Sequence, residues 1–123
     1  MREKPNENIE QFYRCRADFP PDYLLTLYHE RKNRDRTVRF VVDSDSMNIL
    51  FSTLDHEGIK AYHVGFRDFN WGGSVEIYDD KIQLYPYSAI YESPPLTQLP
   101  LIIRAIGKFF HDSGVQLPVK VVG

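Results

Sequence analysis

Apolar and polar residues alternate with a period of two along several stretches of the chain and recur at helical spacing along two others. In TVRFVVD (37–43), Val38, Phe40 and Val42 alternate with Thr37, Arg39 and Val41, as in a strand that buries one face. A polar turn at DSDS follows, and MNILFSTL (47–54) is apolar enough for a second strand. His56-Glu57-Gly58 reads as a turn, and IKAYHVGFRDF (59–69) as a further strand.

The hairpin centred on Asp79-Asp80 has the most definite register. With these two residues at the turn, Tyr78 opposes Lys81, Ile77 opposes Ile82, Glu76 opposes Gln83 and Val75 opposes Leu84. Opposed residues of an antiparallel pair share a sheet face. One face then carries Val75, Ile77, Ile82 and Leu84, and the other carries Glu76, Tyr78, Lys81, Gln83, Tyr85 and Tyr87. A slip by one residue destroys that sorting, so the pattern itself selects the register.

Two segments have helical spacing. In FPPDYLLTLYHERKN, Leu24, Leu27 and Tyr28 share a face, and Asp22 after Pro20-Pro21 favours a helix start. In TQLPLIIRAIGKFFHDS, Leu99, Ile102, Ile103, Ile106 and Phe110 form an apolar stripe. Pro100 fits only its first turn, and Gly114 supplies the stop. The final VQLPVKVV alternates again, and Pro118, which cannot donate to a ladder, puts it at a sheet edge. Residues 8–17 fit a strand or a short helix equally. The sum is one α+β domain over residues 1–123. It has a mostly antiparallel sheet of about 4–6 strands and two main helices, over about 22–32 and 98–113.

The composition, with 42% hydrophobic and 26% charged residues, is that of a globular chain. A lone Cys15 excludes an internal disulfide and suits a reducing compartment. The start, MREKPNENIE, lacks the apolar stretch of a signal peptide, and no run reaches the ~20 residues of a membrane span. These features predict a soluble, cytoplasmic protein.

The net charge of −2 conceals an asymmetry. Residues 1–39 hold nine Lys/Arg against seven Asp/Glu, whereas residues 40–95 hold three against nine. An acidic middle that is also rich in tyrosine repels nucleic acid and attracts basic partners.

Several patterns suggest chemistry. An apolar strand ending in Asp-x-Asp, RFVVDSDSMNIL, resembles the first motif of the haloacid-dehalogenase-type phosphohydrolases, and the order continues through Ser52-Thr53, Lys60 and VEIYDD (75–80). That resemblance implies Asp43 as nucleophile, Asp45 as acid/base, and Asp79 and Asp80 as magnesium ligands. The spacing opposes it. The family's motifs lie on parallel strands, whose crossovers need about a dozen residues or more. Only Ser44 to Phe51 separate Asp43 from Ser52, which suits a hairpin. Met47 also stands where the family prefers Thr or Val.

The same DSDSMN stretch fails as a calcium loop, because Asn48 and Leu54 replace the glycine and glutamate such loops require. The histidines at 29, 56, 63 and 111 lack metal-ligand spacing. Cys15 between two arginines is weak ground for a Cys–His nucleophile. Arg31 to Arg36 is broken by Asp35 and reads as a solvated helix end.

What remains is the segment YDDKIQLYPYSAIYES. Its tyrosines either pack beneath a helix, or form an open face with the neighbouring carboxylates. Trp71 in FNWGG is either core or anchor. The open-face reading predicts a non-enzymatic, cofactor-free inhibitor, an immunity-type protein that neutralises a basic toxin such as a nuclease. Its contact residues would be Glu76, Tyr78, Asp79, Asp80, Tyr85, Tyr87, Tyr91, Glu92, Asp68 and Trp71. The alternatives are a small metal-dependent phosphohydrolase-like enzyme using Asp43 and Asp45, and a homo-oligomer subunit joined through the edge strand 115–122.

Overall fold

The computed structural model describes residues 12–30, 37–62 and 69–122. In chain order the elements are β1 (Arg14–Ala17), α1 (Tyr23–His29), β2 (Thr37–Asp43), β3 (Asn48–Ser52), α2 (His56–Tyr62), β4 (Trp71–Ile77), β5 (Ile82–Tyr85), α3 (Leu99–Asp112) and β6 (Val119–Val121). The six strands form a single sheet in the order β1-β3-β2-β4-β5-β6. The α+β class and both main helices match the sequence pattern.

The sheet is mostly antiparallel, as the sequence pattern predicts, and it is mixed rather than purely so. The inner pairs β3·β2, β2·β4 and β4·β5 are antiparallel, while β1·β3 and β5·β6 at the two edges are parallel. The reason lies in the connections. Hairpins join β2 to β3 and β4 to β5, whereas α3 lies between β5 and β6 and turns the chain to run parallel.

One face of the sheet holds the main core. Val38, Phe40 and Val42 of β2 meet Ile49 and Phe51 of β3, Val75 and Ile77 of β4, and Ile82 and Leu84 of β5. Helix α3 covers them with Ile102, Ala105, Ile106 and Phe110, and α1 adds Leu24 and Leu27. The ring of Phe51 stacks on Phe109 at 5.0 Å and meets the edge of Phe110 at 5.6 Å. Full burial of such side chains contributes about 1.5–3 kcal/mol each.

Two local features fix the helix ends. Gly114 takes φ +97°, the left-handed stop expected after α3. Asp22 does occupy the cap position of α1, but its carboxylate makes no capping bond. Its contribution is therefore its backbone carbonyl, which accepts from Thr26 N–H at 3.0 Å.

The other face carries a smaller cluster of Val41, Leu50 and Ile59, with Phe69 and Tyr91 against it. Ile59 belongs to α2, where alternation had suggested a turn and then a strand over 59–69. The helix forms because Asp55 caps it, its carboxylate accepting Gly58 N–H at 2.7 Å and its carbonyl accepting Ile59 N–H at 2.8 Å. The remainder of that expected strand, with His63 and Asp68, lies largely outside the described residues, as does the basic run 31–36. No helix among the described residues is long and apolar enough to cross a membrane.

Candidate functional site

The β4–β5 hairpin has the register its sequence predicts. Ile77 pairs with Ile82, Glu76 with Gln83 and Val75 with Leu84, and Tyr78 N–H donates to the Lys81 carbonyl at 2.9 Å. Val75, Ile77, Ile82 and Leu84 are each 0% exposed, whereas Glu76, Tyr78, Lys81, Gln83 and Tyr85 on the opposite side are half-buried. Asp79 and Asp80 are exposed at the tip.

Glu76 organises this outer side. The Tyr78 hydroxyl donates to its Oε1 at 2.5 Å and the Tyr85 hydroxyl to the same oxygen at 3.0 Å. From β2, the Thr37 hydroxyl reaches Oε2 at 3.4 Å, consistent with Thr37 standing directly opposite Glu76. Bonds from neutral hydroxyls to a carboxylate are charge-assisted and strong, so they hold both phenol rings in place. The Lys81 ammonium lies 5.5 Å from the centre of the Tyr78 ring, within cation–π range.

Tyr85 is correspondingly hard to ionise. Its pKa is pushed up, first by its hydrogen bonding with Tyr78, then by burial, and then by the bond to Glu76 and that residue's charge. The group is thus a carboxylate framed by two phenols that hydrogen-bond it, a rigid surface that combines apolar area with negative charge.

The remaining predicted residues divide by location. Tyr87 is 47% exposed and donates to the Val122 carbonyl at 2.7 Å, beside edge strand β6. Trp71 begins β4 at the far end from the tip. It is half-buried against the main core and forms a parallel bridge with Glu92. Tyr91 packs over Gly72, where an added Cβ would come within 3.0 Å of its ring. The structure thus gathers Glu76, Tyr78, Asp79, Asp80 and Tyr85 and sets Trp71, Tyr91 and Glu92 apart from them.

A histidine that the sequence did not single out holds the second group. His56 Nε2 faces the carbonyls of Gly73 at 3.1 Å and Phe40 at 3.4 Å, which fixes its proton there. Nδ1 then accepts from the Ser88 hydroxyl at 3.1 Å, while Ser88 Oγ accepts the backbone N–H groups of Ile90 and Tyr91 at 3.1 and 3.0 Å. Tyr91 meets the imidazole edge-on at 5.6 Å. Burial lowers the pKa of His56, partly opposed by its carbonyl bonds. No sequence spacing signals a contact between residues 56 and 88, because it depends on how α2 folds back over the sheet.

The aspartates of the phosphohydrolase-like motif do not meet. Asp43 is 2% exposed and organises the β2–β3 turn, its Oδ1 accepting Asp45 N–H at 3.1 Å and its Oδ2 the Ser46 hydroxyl at 2.9 Å. The strands it joins are antiparallel, with Asp43 opposite Asn48. Val42 pairs with Trp71, so Asp43 sits at one end of β4 and Asp79-Asp80 beyond the other. At about 3.3 Å per residue β4 alone spans roughly 20 Å, which sets the two pairs too far apart to share an ion. Among the described residues, no three His, Cys, Asp or Glu side chains gather as a metal site would require.

Cys15 is a free thiol whose Sγ lies 3.5 Å from the Ala105 carbonyl, and burial pushes its pKa up to about 12. It is not an activated nucleophile. No known protein family, curated protein or solved structure matches the chain.

Proposed function

We propose that the chain is a non-enzymatic, protein-binding inhibitor of the cytoplasm, an immunity-type protein that neutralises a basic toxin domain such as a nuclease. The observation that carries this reading is the outer side of the β4–β5 hairpin, where two phenols are locked onto the Glu76 carboxylate beside a tip of two exposed aspartates. Among the described residues, helix α2 covers the same face around Val41, Leu50 and Ile59. Fixed tyrosines contribute buried area at little cost in side-chain entropy, and the carboxylates steer a cationic partner and suppress neutral competitors. Tyr87 extends the surface towards β6. At the opposite end of β4, Trp71 bridges to Glu92, and Tyr91 meets His56 and Ser88.

Affinity capture tests the proposal. The immobilised full chain is expected to retain a basic protein from an extract of its source cells at low salt and to release it as salt rises. Asp79→Lys combined with Asp80→Lys should abolish most of the retention, and Tyr85→Ala should weaken it by about tenfold. Undiminished capture by both variants would overturn the assignment.

A further inference from the structure

Away from the acidic hairpin, the opposite edge of the sheet has a different character. Strand β1 pairs with β3, and no described strand pairs with its other edge. Arg14 and Asp18 send their N–H groups to β3, at 2.8 Å to Met47 and 3.1 Å to Phe51. By alternation, the backbone groups of Cys15 and Ala17 turn towards the open side. Between that edge and α3 runs a groove of about 530 Å³ whose floor includes Phe12, Cys15 and Phe109. Phe12 is 47% exposed there.

The rim is cationic. Arg14, Arg104 and Lys108 border the groove, and the Arg104 guanidinium stands 5.8 Å from the centre of the Phe12 ring. The carboxylate at the rim, Asp112, is already bonded to Lys108 at 2.7 Å. Among the described residues, no carboxylate pairs with Arg14 or Arg104.

An open strand edge beside a helix, with an apolar floor between them, suits the addition of a further strand: main-chain bonds supply affinity and alternate side chains enter the groove. From the charge of the rim, and from exposed Arg14 and Arg16 on the face of β1 turned away from α3, we infer that β1 and α3 take up an extended acidic peptide segment as a seventh strand beside β1, its apolar side chains entering the groove at alternate positions and its carboxylates meeting the two arginines. This site uses none of the residues of the acidic hairpin and stands whether or not that hairpin binds a basic protein.

The probe is a short fluorescent peptide alternating glutamate and valine, titrated into the full chain and followed by anisotropy. Saturable binding is expected, at least about tenfold tighter than to a lysine–valine peptide of equal length. Arg14→Glu with Arg16→Glu, exposed residues of β1 on the sheet face to which the peptide's glutamates turn when its valines enter the groove, should weaken binding by about tenfold or more while moving the thermal midpoint little. Methylating alternate backbone nitrogens of the peptide on the side that faces β1 should remove binding. No binding, equal binding of the two charge types, or indifference to methylation would each overturn the inference. So would a free chain that sediments as a dimer and is split by the same double variant, because a second copy would then occupy the groove.

Discussion

The two sides of the β4–β5 hairpin are built from alternate residues of one short segment yet answer to different physics. Towards the core, Val75, Ile77, Ile82 and Leu84 are wholly withdrawn from water. On the reverse, Glu76, Tyr78 and Tyr85 stay half-exposed and are held by hydroxyl–carboxylate bonds, with half-exposed Gln83 beside them. Neighbours in sequence therefore divide into a side that stabilises the fold and a side that the fold presents. Changes on the first should register as stability and on the second as recognition.

The sharpest break of that contrast is a pair of truncations one residue apart. Ile82→Ala should lower the unfolding free energy by about 2–5 kcal/mol, since it leaves a cavity in the main core. Gln83→Ala should change it by no more than about 0.5 kcal/mol. Urea denaturation of both variants checks this, and similar losses would show that both sides are structural.

Gly73 tests how tightly the inner side is packed. A Cβ there would lie 2.4 Å from the Tyr85 carbonyl oxygen and 2.8 Å from the Phe40 ring, and neither the backbone nor a ring enclosed in the core yields easily. Gly73→Ala should cost about 1–3 kcal/mol in the same experiment.

Two smaller effects depend on pH. The folded-state pKa of Tyr85 is raised, so the native chain keeps a proton that the unfolded chain loses above about pH 10, and stability should fall as pH rises past that point. Spectroscopic titration of the native chain should include a phenol that ionises above the usual tyrosine range, and Tyr85→Phe should remove that contribution. The folded-state pKa of His56 is lowered, so its contribution is complete above about pH 6.5 and is lost as pH falls towards the folded value. Protonation would give Nδ1 a proton facing a Ser88 oxygen that already accepts two N–H groups. The urea midpoint should therefore decline on mild acidification, and less so in His56→Gln.

What could be read in the sequence was local. The hairpin register followed from alternation over Val75 to Leu84, and the α3 stripe from apolar residues at helical spacing, because each pattern and its partner lie within a few residues. The exposed edge of β6 followed from Pro118. Helix α2 is hidden in the sequence because Gly58 so soon after His56 resembles a turn, while the Asp55 cap that starts the helix shows only in its bonds to Gly58 and Ile59. The parallel edges, the Thr37 contact with Glu76 and the bond between His56 and Ser88 depend on chain crossings that no local period records. The same holds for the candidate site. Its core residues were visible as one side of a strand pair, whereas Trp71, Tyr91 and Glu92 proved to belong to the other end of β4.

The most direct test of the recognition side is amide shift mapping of the labelled chain as its captured basic partner is added. The account predicts that the largest changes fall on residues 76–85, at the tip and along the outer strand positions, and that they shrink as salt is raised. Changes centred elsewhere on the sheet, with 76–85 unmoved, would contradict it.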